Sequence, residues 1–237
     1  MRDNVKFFVK TCSRVFDPPE PILEIGSLQV PGQVGYADLR PFFAGKNYIG
    51  CDMRPGIGVD RIENVEKLSL RSETVGTVII VDTLEHVENP HKALDEIFRV
   101  LKMDGIVTMT SVQNFIIHDV PGDFWRFTPE AFNLLLKDFP VRIIGSQGAL
   151  LNPHTVFGVG FKHDAEIATK FHELCRSFSE ELRRIPKRKR IRFLRTMTSP
   201  LFIKNKVPYF IKVKLFEELA FNYYALQQPV ESFKVEL

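Results

Sequence analysis

Hydrophobic and polar positions alternate in blocks along residues 75–111, and the blocks predict a strand, a helix and a second strand. Residues 78–81 form a short apolar run rich in β-branched side chains, typical of a strand buried on both faces. After the polar residues 82–89, apolar side chains recur at helical spacing over 93–101. An Asp-Gly pair at 104–105 then ends the helix. The pattern is a β-α-β unit, and ligands of open α/β sheets bind where such strands end.

Strand and helix patterns continue to alternate through about residue 162. They predict an α/β fold with a doubly wound, mostly parallel seven-stranded Rossmann-like sheet. Residues 1–19 are expected to hold an N-terminal amphipathic helix, 20–162 the α/β domain, and 163–237 a helical, basic C-terminal extension. The last two sheet strands are expected to pair as an antiparallel hairpin.

Composition narrows the class of protein. A chain of 237 residues, 44% hydrophobic and 26% charged, is long enough to bury a core and typical of a globular protein. Its three scattered cysteines fit neither a disulfide framework nor a zinc spacing. No apolar run approaches the roughly 20 residues of a membrane-spanning helix, and the N-terminal pattern is not that of a signal peptide. We therefore expect a cytoplasmic protein.

Charge is distributed unevenly along the chain. Residues 182–237 carry a net charge of +9 and the rest a net charge of −6. Eight Lys or Arg residues lie between Arg183 and Arg195, and lysines mixed with aromatic residues follow. Such a tail favours a lid, a homodimer arm or a solvated segment over peripheral contact with an anionic membrane, and it favours nucleic acid least.

Two predicted strand ends carry residues suited to a nucleoside. Gly26 follows the first strand, where backbone can approach a ligand closely, and Asp52 ends the second, where a carboxylate can accept hydrogen bonds from ribose hydroxyls. The loop between them lacks the G-x-G-x-x-G pattern, and Pro31 removes a backbone donor that a pyrophosphate needs. These features disfavour an NAD-dependent oxidoreductase and favour a nucleoside without phosphates.

Four segments taken in order resemble the class I S-adenosylmethionine (SAM)-dependent methyltransferases, most closely the type 11 branch. They are LEIG at 23–26, GCDM at 50–53, LEHV at 84–87 and FRVLKMDG at 98–105. The resemblance covers about residues 20–140. Residues 118–130 resemble, more loosely, a segment of type 11 members associated with glycan and secondary-metabolite pathways.

The resemblance implies that SAM is the cofactor. The positions that match its binding residues are Glu24, Gly26, Ser27, Asp52, Met53, Asn64, Val65, Asp82, Thr83 and Leu84. Of these, Asp52 would hold the ribose hydroxyls, and residues 82–84 would lie below the sulfonium. Ser27 departs from the family, since many members have further glycines there, and this departure affects the path of the loop.

Methyl transfer to oxygen needs a base, and His86 and His118 are the candidates because both follow strands that end near the cofactor. The alternatives are that His86 only caps a turn and that His118 lies in a surface loop. Asp119, Trp125 and Arg126 are candidate substrate contacts, although Trp125 can equally anchor its loop to the core.

A carboxylate and imidazole group, formed by Asp82, Glu85, His86 and His118, has the residue types that bind Mg²⁺, Mn²⁺ or Zn²⁺. Similar patterns bind a cation in some RNA 2′-O-methyltransferases, but LEHV is also common in relatives without a metal. The expectation is a site without metal.

The sequence thus predicts a SAM-dependent methyltransferase acting on a small-molecule, sugar or lipid-linked acceptor, at a hydroxyl. The alternative is a non-catalytic Rossmann-like binding or scaffold protein with a degenerate cofactor loop.

Overall fold

The computed structural model describes residues 1–119, 121–149, 152–163, 167–185, 218–225 and 228–236. These residues form one sheet of nine strands with helices on both faces. The strands are β1 (Ile22–Ile25), β2 (Tyr48–Asp52), β3 (Arg61–Ile62), β4 (Val75–Val81), β5 (Leu101–Val112), β6 (Val141–Ala149), β7 (Asn152–Phe161), β8 (Glu218–Ala225) and β9 (Gln228–Glu236). The helices are α1 (Asp3–Phe16), α2 (Pro90–Val100), α3 (Pro129–Leu135) and α4 (Ala168–Arg183).

The strand order is β3-β2-β1-β4-β5-β7-β6-β8-β9. The first five strands in this order are parallel, whereas β7, β6, β8 and β9 join by antiparallel pairing. The predicted Rossmann-like sheet of seven strands is confirmed in β1–β7, and the β6–β7 hairpin is antiparallel as expected. The carboxyl ends of the parallel strands form one edge of the sheet, called here the carboxyl edge.

Helix α2 begins after the polar residues 82–89, as predicted, but it ends at Val100, and the Asp-Gly pair at 104–105 that was expected to end it lies within β5. Asn89 precedes the helix and accepts a hydrogen bond from the backbone N–H of Lys92 at 3.1 Å, and Pro90 occupies the first helical position. Thr128 caps α3 in the same way, with its hydroxyl accepting from Ala131 at 3.1 Å. These caps fix where each helix begins, and so they hold the ends of the loops that precede α2 and α3.

Apolar clusters show how the layers are built. Side chains of α2 and α3 pack in one cluster with the parallel strands, α1 packs in another with β1 and β4, and α1 and α4 together pack with the antiparallel strands β6, β7 and β8. Phe8 of α1 packs against Phe157 of β7, with ring centroids 4.7 Å apart and the rings tilted by 43°. The N-terminal helix is thus part of the main core.

The C-terminal extension differs from the expected helix beyond α4, since β8 and β9 extend the sheet. Leu219 and Phe221 are fully buried at alternate positions of β8. Gly145 pairs with Phe221, and its missing side chain leaves room for the ring, since a Cβ there would lie 2.1 Å from a ring carbon. Burial at every second position is the pattern of a strand, so residues 218–225 form β8 and not the helix that was expected. Most of the basic segment 183–195, and residues 202–216, lie outside the described residues.

No helix among the described residues is long and apolar enough to cross a membrane.

Candidate functional site at the carboxyl edge

The carboxyl edge brings together polar residues that follow three neighbouring parallel strands. Gly26 follows β1, Asp52 ends β2 and Asp82 follows β4. Because β1 lies between β2 and β4, the three positions are neighbours on one edge. The loop after β5, which carries His118, begins at the same edge. The structure therefore groups strand ends that are far apart in the sequence.

The chain turns sharply at Gly26, where φ is +82° and a Cβ atom would lie 2.2 Å from Oγ1 of Thr83. The backbone N–H groups of Gly26 and Ser27 donate to the carbonyl of Cys51 at 2.8 and 3.0 Å. Ser27 is buried, and its hydroxyl has no hydrogen-bond partner among the described residues. A buried polar atom without a partner next to a glycine turn is a feature that a bound polar ligand would satisfy.

Asp52 is mostly covered, with 12% of its side chain exposed, and its Oδ1 accepts from the backbone N–H of Arg54 at 2.9 Å. The Arg54 guanidinium lies 3.8 Å from the carboxylate of Asp52 and 3.8 Å from that of Asp119. It therefore links the loop after β2 to the loop after β5. Met53 beside it is 67% exposed and free to cover a ligand.

Glu24 lies below this turn and points at Tyr48, whose hydroxyl donates to Glu24 Oε2 at 2.7 Å. The carboxyl is 3% exposed, and burial raises its pKa to about 7 even though the Tyr48 hydrogen bond lowers it. Tyr48 therefore covers the Glu24 carboxyl, which the resemblance places beside the cofactor.

Two further predicted contacts have different surroundings. Asn64 is exposed, and its Oδ1 accepts from the backbone N–H of Glu66 at 2.8 Å. A carbonyl-type oxygen has two lone pairs, so this bond leaves one for another donor. Val65 and Leu84 are buried in the same apolar cluster. Their side chains are part of the apolar core and offer no polar atom to a ligand.

Asp82 makes an ion pair that was not predicted from the sequence. Arg2, just before α1, donates from Nη2 to Oδ1 at 2.8 Å and from Nε to Oδ2 at 3.2 Å, and the Thr110 hydroxyl donates to Oδ1 at 3.1 Å. Burial opposes ionisation of Asp82, but the Arg2 guanidinium outweighs it and lowers the pKa of the carboxyl. The start of α1 thereby closes the carboxyl edge over β4.

Glu85 lies in the 3₁₀ turn Leu84–His86, directly after β4, and is fully buried. Its Oε2 accepts from the Ser111 hydroxyl at 2.7 Å, whereas Oε1 has no hydrogen-bond partner within the described part of the chain. Burial, and then the charge of Asp82, raises the pKa of Glu85 to about 7. The sequence placed Glu85 in a candidate group but did not show that it is buried.

His86 and His118 are brought together, with ring centroids 4.9 Å apart. Nδ1 of His86 lies 2.8 Å from the carbonyl of Gly122, and Nδ1 of His118 lies 3.1 Å from the carbonyl of Ile116 and 3.3 Å from Asp123 Oδ2. Since these oxygens only accept, each Nδ1 carries a hydrogen, and Nε2 is the ring nitrogen left to act as an acceptor.

The segment 121–127 is tied down by its own side chains. Arg126 donates to both carboxylate oxygens of Asp123, at 2.6 and 2.7 Å, and to three backbone carbonyls. Hydrogen bonds from Arg126 lower the pKa of Asp123 far below its usual value. Trp125 is 42% exposed, and its indole N–H donates to the carbonyl of Val87 at 2.8 Å. The Arg126 guanidinium thus holds the loop, while the face of Trp125 stays open.

Comparison with known proteins agrees with this fold. Residues 37–109 match the family model of the type 11 methyltransferase domain. No curated protein matches the chain in sequence. A Burkholderia thailandensis 1,6-didemethyltoxoflavin-N1-methyltransferase, solved with that compound and S-adenosylhomocysteine bound, is similar in structure with a TM-score of 0.51 at 15% identity, over 68% of this chain and 79% of that one.

Two other solved structures are similar at lower scores. A SAM-dependent methyltransferase from Thermotoga maritima is 17% identical, with a TM-score of 0.48 over 66% of this chain and 89% of that one. A Haloferax volcanii methyltransferase in complex with the Trm112 activator is 15% identical, with a TM-score of 0.48 over 68% of this chain and 91% of that one.

The fold is that of the class I methyltransferases. The match over residues 37–109 makes the assignment more specific. Over residues 37–109 the chain is thus similar to the type 11 methyltransferase domain, and this match together with the fold supports SAM as its cofactor.

Proposed function

We propose that this protein transfers a methyl group from SAM to a hydroxyl of a small-molecule, sugar or lipid-linked acceptor. The observation that supports oxygen as the acceptor atom is that the rings of His86 and His118 lie together, each with Nδ1 against a carbonyl oxygen, which leaves Nε2 to accept a proton. When bound, SAM supplies an electrophilic methyl group. A hydroxyl acceptor must lose a proton as it attacks, and an imidazole lone pair can take that proton.

The residues at the edge fit the cofactor. We assign the ribose to Asp52, and we place the cofactor against the turn at Gly26 and Ser27. The glycine lets backbone approach a ligand closely, and the buried Ser27 hydroxyl has no hydrogen-bond partner among the described residues. Val65 and Leu84 supply an apolar floor for a base. Of the remaining predicted contacts, Met53 and Asn64 are exposed, and Thr83 packs against the turn at Gly26. Glu24 bonds to Tyr48 and Asp82 pairs with Arg2, so we propose that these two carboxyls support the site from behind.

An apolar rim beside the histidines supports an acceptor with an apolar part. Large apolar side chains that are 42–76% exposed lie in the two segments joined by Arg126, namely Ile116, Ile117, Phe124 and Trp125. Exposed apolar groups gathered at one place indicate a binding surface. We propose that Trp125 and Asp119 face the acceptor and that Arg126 positions their loop.

A non-catalytic binding protein remains the second candidate, favoured by the contact between the loops after β1 and β2. The backbone N–H of Gln29 donates to the carbonyl of Ile57 at 2.9 Å, and a Cβ at Gly58 would lie 2.5 Å from the carbonyl oxygen of Ser27. Loops that close on each other leave less room for a cofactor. This candidate predicts that the protein does not bind S-adenosylhomocysteine.

Turnover by a histidine variant tests the proposal. The assay follows S-adenosylhomocysteine release from SAM with a panel of phenol, sugar and polyprenol acceptors. We expect His118→Ala to lower turnover by about 10²- to 10⁴-fold, the range of a lost general base, with unchanged affinity for S-adenosylhomocysteine. His91→Ala, at an exposed position of α2, is the matched control. Full turnover of an oxygen acceptor by both His118→Ala and His86→Ala contradicts the assignment.

A further inference from the structure

We propose that Glu85, His86 and His118 form a binding site for a divalent transition-metal ion, with Zn²⁺ the best match. One ligand atom from each of the three side chains lies within 4.8 Å of the others. The proposal concerns cation binding alone, and it departs from the expectation of a site without metal that the sequence supported.

The state of Glu85 supports a cation. Its carboxyl is fully buried, Ser111 occupies Oε2, and Oε1 has no hydrogen-bond partner among the residues described. Burying a carboxylate oxygen without a partner is costly. A cation beside Oε1 would satisfy that oxygen and compensate the charge.

The partners of the two histidines are those of metal-binding histidines. Each ring donates its Nδ1 hydrogen to an oxygen behind it: His86 to the carbonyl of Gly122, and His118 to the carbonyl of Ile116, with the Asp123 carboxylate also close. Metal ligands of this kind are oriented by such acceptors, which fix the tautomer and make the free nitrogen more basic. Asp123 is itself held by Arg126 and is 1% exposed, so this support is rigid.

Ligand type and spacing select the metal. Two imidazoles and one carboxylate are the ligands of catalytic zinc sites, which keep a fourth position open, whereas Mg²⁺ and Ca²⁺ prefer oxygen ligands. Two ligands of one tetrahedral zinc ion lie about 3.3 Å apart, so the three side chains must approach one another on binding. His118 lies in a loop and is 31% exposed, which allows that movement and gives the ion access.

Calorimetry with Zn²⁺ alone tests the proposal on full-length protein stripped with EDTA, in the absence of SAM. We expect one ion per chain with a micromolar or tighter dissociation constant. His118→Ala and Glu85→Gln should each weaken it at least tenfold, and Co²⁺ should give visible absorption bands in the wild type. His172→Ala is the control, because His172 is an exposed histidine 2.8 Å from Glu231 and so offers a competing surface site.

Three results overturn the proposal: no zinc binding, affinity within twofold of wild type in both site variants while circular dichroism shows them folded, or binding lost in His172→Ala instead. Binding of S-adenosylhomocysteine is measured separately. If that ligand binds and zinc does not, only the metal site is wrong; if zinc binds and that ligand does not, only the methyltransferase function is wrong. A cation bound to both Nε2 atoms occupies the lone pairs that the proposed function assigns to a general base, so, on the proposed function, bound zinc should inhibit methyl transfer to a hydroxyl.

Discussion

Replacing Glu24 by Gln should change how the stability of this protein depends on pH. Glu24 is 3% exposed, and its Oε2 accepts the Tyr48 hydroxyl at 2.7 Å. Gln has the same shape and keeps an acceptor oxygen for that hydroxyl. The substitution therefore removes the ionisation of the buried group with little change in packing.

The size of the effect follows from the pKa of Glu24, which burial raises from 4.5 to about 7. At 1.36 kcal/mol per pKa unit, the difference is worth about 3 kcal/mol. The folded state holds the proton more tightly than the unfolded state. Stability due to this group is therefore full below pH 4.5 and is lost as pH rises towards 7. Glu24→Gln should lack this loss and gain up to about 3 kcal/mol on the wild type between pH 4 and pH 8.

Urea unfolding at pH 4.5, 6 and 8, followed by the fluorescence of the single Trp, measures this change. Glu63→Gln is a control in which we expect the opposite change in the pH dependence of stability. Burial raises the pKa of Glu63, but hydrogen bonds from Ser69 and the charge of Arg61 outweigh it and lower that pKa. Glu63→Gln should therefore destabilise the protein at pH 7, and by less as pH falls. Parallel pH profiles for wild type and Glu24→Gln would refute the argument.

Two further substitutions test contacts that position the site. Arg2→Ala should lower the free energy of unfolding by about 2 kcal/mol at pH 7, the scale of hydrogen bonds to a charged group, because the Asp82 carboxylate loses its ion pair. In thermal unfolding this loss should become smaller as acid protonates Asp82. An unchanged melting temperature at pH 7 would count against the ion pair. Gly145→Ala should cost about 1–3 kcal/mol by overpacking, since its Cβ would lie 2.1 Å from the Phe221 ring, whereas at Gly122 the nearest atom is 3.8 Å away. Equal melting temperatures for Gly145→Ala and Gly122→Ala would refute the placement of β8.

The parallel half of the sheet could be predicted because its strands and helices are specified by patterns of neighbouring residues. The β-branched run of β4 and the helical spacing of α2 each act within a few residues. The last two strands were not predicted, because β8 is stable only where Leu219 and Phe221 meet a core formed by α1 and α4. Strand formation there depends on tertiary packing rather than on propensity.

The candidate site was predictable where it depends on topology. Residues at the ends of parallel strands share one edge, so Gly26 and Asp52 could be grouped from the sequence. The Arg2–Asp82 ion pair joins residues 80 positions apart, and no local signal marks it. The burial of Glu85 likewise depends on how residues 121–127 cover its turn, with backbone N–H groups of that segment donating to the Glu85 carbonyl at 2.8 and 3.1 Å.

Calorimetric titration with S-adenosylhomocysteine tests the central claim most directly. We predict saturable binding to the wild type and an affinity at least about 150-fold weaker in Asp52→Ala, which would remove two ribose hydrogen bonds to a charged acceptor worth about 1.5–3 kcal/mol each. Asp95→Ala, at an exposed position of α2, should bind like the wild type. Neither heat nor a thermal shift at millimolar ligand, with the wild type folded, would contradict the assignment of this protein as a SAM-dependent methyltransferase.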